Sequence, residues 1–293
     1  MVSKGLLENI TAMVIFGTIS LCVKNVAVSS AEIAFWRIVI AIVIILAIKR
    51  IRNEKLPFKA VKKDLYLLAL SGFAISGDWI LFFEAYKYTS VSVATLSYYF
   101  CPVLVMLLSP IIFKEHITLK TSLCFTMATL GLVLIVGARS GGSNKELLGI
   151  ALSLSAAICY ACIIILNKKI TSVSGLDKTI FQFIATLIIL SVYVPLTSGF
   201  HVSGLSSKGL LCLIILGVVH TTIAYSLYFS SVPKLSGSKV ALFSYIDPLV
   251  AVIVSIAFFN EHITLWQLIG GAMIIGFTIL NELYELRLAK GNT

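Results

Sequence analysis

Four ionisable side chains stand where the neighbouring sequence is almost wholly apolar: Arg37, Asp78, His220 and Asp247. At the centre of a bilayer a charge costs about 2.5–3.5 kcal/mol on insertion scales, so one that survives there faces protein or a wet cavity. Asp78 adjoins Trp79, and Tyr245 precedes Asp247 by two residues. Thr95, Tyr98, Tyr99 and Pro102 fall on neighbouring turns of one apolar run. Gly217, His220, Thr221, Ala224 and Tyr228 recur at helical spacing in another, making a small and polar stripe that should face a cavity. Aromatic rings beside desolvated carboxylates suit a cationic or zwitterionic head group, because ring faces attract cations and the carboxylate supplies the countercharge. The candidate substrate-binding residues are therefore Arg37, Asp78, Trp79, Thr95, Tyr98, Tyr99, His220, Thr221, Tyr245 and Asp247.

Each has a plainer alternative. The tyrosines also fit as packing aromatics whose hydroxyls bond a neighbouring backbone. Asp78 and Asp247 also fit as buried partners of Arg37 or His220, and His220 as a hydrogen-bonded bridge between two helices. A carboxylate at mid-membrane is also the natural carrier of a coupling proton, with Asp247 the first choice and Asp78 the second. Pro102 and Pro248 are expected mid-helix, where proline removes a backbone hydrogen bond and bends the helix. They are the candidate hinges at the floor of the pocket, unless the bend serves packing alone.

The elements that must hold these residues are set by composition. Of 293 residues 59% are hydrophobic and 12% charged, where a soluble chain carries about a quarter charged. Apolar runs of about 20 residues, enough to cross ~30 Å of hydrocarbon, follow one another with short polar breaks. Helices are predicted at about 9–28, 31–50, 64–85, 91–113, 118–137, 147–166, 177–197, 208–231, 236–259 and 264–284, ten crossings of a lipid bilayer. The first run follows a single lysine, Lys4, and has no small-residue cleavage site after it, so it is expected as a retained helix. With the N-terminus inside, seventeen lysines and arginines fall on the cytoplasmic side and five outside, Arg37 being within a helix. This asymmetry predicts a multi-pass cell-membrane protein with both termini cytoplasmic.

Pro102-Val103-Leu104 followed by Phe113-Lys114-Glu115-His116-Ile117-Thr118-Leu119 returns as Pro248-Leu249-Val250 followed by Phe259-Asn260-Glu261-His262-Ile263-Thr264-Leu265. The offset is 146 residues, Pro102 to Pro248. The predicted fold is all-α: two five-helix repeats, 1–146 and 147–293, the second inverted because five is odd. Lys114 and Lys120 of the first copy are Asn260 and Trp266 in the second, as a change of compartment requires. Glu115 and Glu261 either accompany Thr118 and Thr264 in capping the next helix or act as gate contacts. Gly131 and Gly137 in the fifth helix, and Gly270, Gly271 and Gly276 in the tenth, favour close helix contacts, structural and possible as a homodimer seam.

With this layout, Phe83-Glu84-Ala85-Tyr86-Lys87-Tyr88-Thr89-Ser90, the repeated Pro and Glu pattern, and Leu268-Ile269-Gly270-Gly271, the chain resembles the drug/metabolite transporter superfamily, in particular its EamA-type members. Phe35-Trp36-Arg37 is similar to the family's aromatic-plus-Arg start of the second helix. Ser244-Tyr245-Ile246-Asp247-Pro248 is similar to its aromatic-acid-Pro segment, with Asp247 where Glu is more usual. The resemblance covers nearly the whole chain. It implies a carrier of amino acids or other metabolites, usually outward, working by alternating access about a central cavity between the repeats. Import of a cationic or quaternary-amine nutrient is the alternative within transport.

Other classes lack their marks. Neither H-E-x-x-H nor G-x-S-x-G is present, so no enzyme is expected, and no P-loop couples ATP. A channel or sensor should show charge rings or a signalling domain. Cys159-x-x-Cys162 lies one turn apart on an apolar helix with no second Cys/His pair, and neither a metal, a cofactor nor a disulfide framework is expected. The basic residues are scattered through loops rather than gathered on one domain, so nucleic acid is not an expected partner.

Overall fold

In a computed structural model the residues described are 4–101, 103–105, 108, 119–137, 144–173, 175–231, 234 and 243–291. Among them the protein is helical and contains no strand. The helices are α1 (Lys4–Gly17), α2 (Ile19–Val23), α3 (Ser30–Ile51), α4 (Phe58–Val61), α5 (Leu65–Ala85), α6 (Val91–Tyr98) and α7 (Leu119–Gly137) in the first half. The second half holds α8 (Asn144–Lys169), α9 (Gly175–Thr197), α10 (Ser207–Ile215), a π-helical segment Leu216–Ile223, α11 (Ala224–Ser231), α12 (Ile246–Phe259) and α13 (Leu265–Gly291). Six helical stretches are long and apolar enough to span a membrane: Lys4–Val23, Ser30–Ile51, Phe58–Ala85, Asn144–Asn167, Gly175–Thr197 and Ser207–Tyr228. Four shorter apolar helices occupy the four remaining predicted places. Large apolar side chains such as Val43, Phe73, Ile188, Ile253 and Phe258 are exposed around the outside, which only lipid would cover without penalty.

Starts are set by side-chain caps. Ser29, Ser90 and Ser206 accept the N–H of Glu32, Val93 and Gly209, satisfying amides that have no intrahelical partner. Thr264 and Gln267 cap α13 reciprocally, each side chain accepting the other's backbone N–H. Two boundaries depart from expectation. The first span begins at Lys4 rather than near Asn9, and it breaks between Gly17 and Ile19. A Cβ on Gly17 would lie 2.6 Å from the Asp247 carbonyl oxygen and from Val250 Cβ, so only glycine allows the crossing of α12 there.

Packing relates the halves by exchange. α5 lies on α8, and its counterpart, α10 with the π segment and α11, lies on α1. α6 packs on α8, as α12 does on α1. α3 meets α9, α6 meets α12 and α7 meets α13, each an element against its own counterpart. This is the arrangement a two-fold relation between two repeats demands, and the molecule is an all-helical membrane protein of two repeats. The seam glycines act within the chain: a Cβ on Gly131 would lie 2.6 Å from the Gly270 carbonyl oxygen, and one on Gly271 2.8 Å from Leu96. Gly276 has open space beside it, and the side chain position of Gly137 lies outside the described residues.

Candidate functional site

The ninth predicted helix is interrupted just before Pro248. Tyr245 forms a turn, and Pro248, the third residue of α12, has no N–H to return to the carbonyl four residues before it. The Ser244 carbonyl, four residues before Pro248, is thereby left without its helical donor, and the Tyr99 hydroxyl lies 3.4 Å from it. At the equivalent place in the first repeat α6 ends at Tyr98, and Tyr99 forms the turn. Pro102 itself lies outside the described residues. Tyr99 and Tyr245 correspond through the 146-residue offset, and their rings lie 6.3 Å apart between the repeats.

Around this double interruption the polar groups divide in two. Near α12 the Tyr99 hydroxyl donates to Asp247 Oδ2 at 2.6 Å, and both residues are half-buried. Deeper, against α3 and α5, Arg37 and Asp78 are 2% and 3% exposed. The Arg37 guanidinium lies 3.8 Å over the Trp79 ring and 5.3 Å from Phe83, and its Nε donates to Thr221 Oγ1 at 2.9 Å. Trp79, expected against substrate, therefore gives one face to Arg37. Asp78 Oδ2 lies 3.4 Å from the Tyr98 hydroxyl, while Oδ1 has no hydrogen-bond partner among the described residues. Tyr98 is stacked between Phe82 at 4.3 Å and Tyr160 at 5.5 Å.

The plainer alternative, in which Asp78 or Asp247 pairs with Arg37 or His220, is not seen. Among the described residues neither carboxylate makes an ion pair; both meet tyrosine hydroxyls instead. His220 Nε2 lies 3.2 Å from Thr18 Oγ1, joining the π segment to the break in the first span. The π segment has its own local cause. Thr221 and Thr222 hydroxyls donate to the carbonyls of Leu216 and Gly217, five residues back rather than four, and the widened turn holds Thr221 toward Arg37. Thr95 is buried on α6, and Tyr245 is 4% exposed.

Three contributors escaped the sequence: Phe82, Tyr160 and Thr18. The rings sit among apolar residues with no polar neighbour to single them out, and Thr18 looks like an ordinary helical threonine. A depression of about 420 Å³ lined by Lys87, Tyr88, Thr89, Ser90, Lys145 and Glu146 opens at one end of the bundle. None of the buried charges lines it.

Comparison with known proteins decides the lineage, because the sequence pattern of the EamA-like transporter family matches twice, over residues 3–137 and 147–282. The chain belongs to the EamA-like transporter family. It is 28% identical over 278 residues to the uncharacterized transporter YxxF of Bacillus subtilis (strain 168), covering 93% of this chain and 87% of that protein. It is 25% identical to a probable amino-acid metabolite efflux pump of Salmonella typhimurium (strain LT2), with 75% and 77% covered. A solved crystal structure matches with a TM-score of 0.65 at 18% identity, over 95% of this chain and 98% of that one, a likeness of fold. This EamA-like chain is thus a multi-pass membrane transporter, not an enzyme, and the polar cluster between its repeats is its candidate substrate site.

Proposed function

We propose that the protein carries amino acids or closely related zwitterions out of the cytoplasm across the cell membrane by alternating access. One observation carries this reading. A buried guanidinium, Arg37, and a buried carboxylate, Asp78, share one site between the repeats, and among the described residues they form no ion pair and Asp78 Oδ1 has no hydrogen-bond partner. Burying opposite charges that meet only hydroxyls and rings, not each other, costs free energy that a ligand bearing both charges would recover. Arg37 is suited to the ligand carboxylate, and Asp78 to its ammonium. Thr95, Tyr98, Tyr99 and Tyr245 supply hydroxyls and ring faces, Asp247 lies one shell further, and His220 and Thr221 hold the wall behind Arg37. The Salmonella relative, described as a probable amino-acid metabolite efflux pump, supports outward movement of such solutes.

A second reading, import of a cationic or quaternary amine, draws on the stacked rings of Phe82, Tyr98 and Tyr160 beside Asp78. One experiment separates them. Purified protein in liposomes is screened with labelled amino acids and with their decarboxylated amines, with and without a pH gradient, in the parent and in Arg37→Gln. Amino-acid flux should fall at least tenfold in the variant while any amine flux persists. Equal loss of both in a variant of unchanged thermal midpoint would remove Arg37 from the ligand, and amine flux alone in the parent would favour the second reading.

A further inference from the structure

Glu261 was open to two readings, a cap for the next helix or a gate. The structure gives α13 its cap from Thr264 and Gln267, and sends Glu261 elsewhere. Asn260 adopts a left-handed backbone, φ 50°, at the end of α12, which turns the following residue back toward the bundle. The Glu261 carboxylate then reaches across to the other repeat. Its Oε1 accepts the Val91 N–H at 3.0 Å, and its Oε2 the Ser92 N–H at 3.3 Å. These are the first two amides of α6, which no residue of α6 can satisfy; Ser90 takes only the third, from Val93. Oε2 also accepts the Ser255 hydroxyl of α12, and Ser92 Oγ donates to Ser255 Oγ at 2.6 Å. Lys24, just past α2, completes the set with Nζ 3.0 Å from Oε1 and 4.4 Å from the Phe259 ring.

We propose that Glu261 is the latch of the external face: its carboxylate pins the start of α6 to the end of α12, and access to the site from that side requires it to let go. Two features suit it to the task. The elements it joins carry the site, since Thr95 and Tyr98 follow on α6, Tyr99 forms the turn just past it and Asp247 lies on α12. The Glu261 and Lys24 side chains are 12% and 26% exposed, so water at the membrane boundary can take over their hydrogen bonds when the latch opens. In sequence the same residue types return at the 146-residue offset, Glu115 for Glu261, Ser109 for Ser255 and Ser238 for Ser92, at positions outside the described residues.

The proposal rests on the transporter reading but not on any substrate, so its test uses accessibility. In a background without the six native cysteines, Thr95→Cys, a buried position one turn beyond Ser92, is treated with an impermeant maleimide in intact cells. Labelling should be slow in the latched parent. Adding Glu261→Gln should speed it at least tenfold, and adding Lys24→Ala should speed it less. An unchanged rate in folded Glu261→Gln protein overturns the latch. Should that variant fail to accumulate, Lys24→Ala combined with Ser255→Ala leaves the carboxylate in place while removing two partners. A threefold faster rate supports the latch, and an unchanged rate overturns it. Flux of labelled amino acids is measured separately in the parent with Thr95 intact; its absence there beside faster labelling of the Glu261→Gln protein would leave the latch standing and remove the substrate assignment instead.

Discussion

At the scale of single residues, the site divides its labour between a pair of buried charges and a pair of tyrosine–carboxylate contacts. Asp247 belongs to the second pair, accepts from Tyr99 at the place where both repeats interrupt a helix, and is half-buried. That position makes it the first candidate to carry a proton between the two faces, because movement of one repeat against the other changes its partner. Asp247→Asn is therefore expected to abolish the response of flux to an imposed pH gradient while substrate exchange, which needs no net proton movement, continues. Loss of binding and exchange together would make Asp247 a substrate ligand or a structural partner. A response like the parent's would remove it from coupling altogether.

Elements carry the next set of consequences. Gly131 and Gly270 let α7 and α13 touch backbone to backbone, so Gly131→Val must push the two helices apart, at a cost of about 1–3 kcal/mol typical of overpacking. Gly276→Ala, on the same helix but facing open space, should instead gain about 0.5–1 kcal/mol from the restricted unfolded chain. Thermal midpoints of the purified variants should move in opposite directions; movement together would place the seam elsewhere. The helices themselves were legible because apolar runs of bilayer length leave few alternatives, and the repeat was legible because its motifs recur at one offset. What the chain does inside a run was not. Neither the break at Gly17 nor the π segment at Thr221 changes the apolar pattern; the first lies against Asp247 and Val250, far away in sequence, and the second follows hydroxyl bonds that Thr221 and Thr222 make to carbonyls five residues back. A proline marks a missing hydrogen bond, and only the structure shows that beside Pro248 it falls at a turn formed by Tyr245. The charged site residues were legible from their isolation among apolar neighbours, whereas Phe82 and Tyr160 had no such contrast.

For the whole molecule, the ten-crossing reading makes a demand that pairwise contacts meet. Asp64 with Thr171 and Ser172, Lys49 with Asp177, and Glu8 with Lys234 join segments all assigned to the cytoplasmic side. Glu32 with His201 and Val202, Ser29 with Ser198, and Lys24 with Glu261 join segments all assigned outside. The positive residues predict which set faces the cytoplasm. Cysteines placed at Lys114 and Asn260 in a cysteine-free background should react with an impermeant thiol reagent from opposite faces, and labelling of both from one face would sink the inversion. The exchange relation has a further consequence for energetics. Under the alternating access proposed above, two halves of identical sequence in a symmetric bilayer would give inward-open and outward-open forms equal free energy, so a resting preference of the protein itself would come from positions where the copies differ. The site supplies them, since Arg37, Asp78, His220 and Asp247 correspond to Phe183, Ala224, Ala74 and Cys101. About 1.4 kcal/mol of imbalance at such positions shifts the occupancy of the two forms tenfold. Evolution can thus retune which compartment an empty carrier waits for by editing unmatched residues, leaving the duplicated frame untouched.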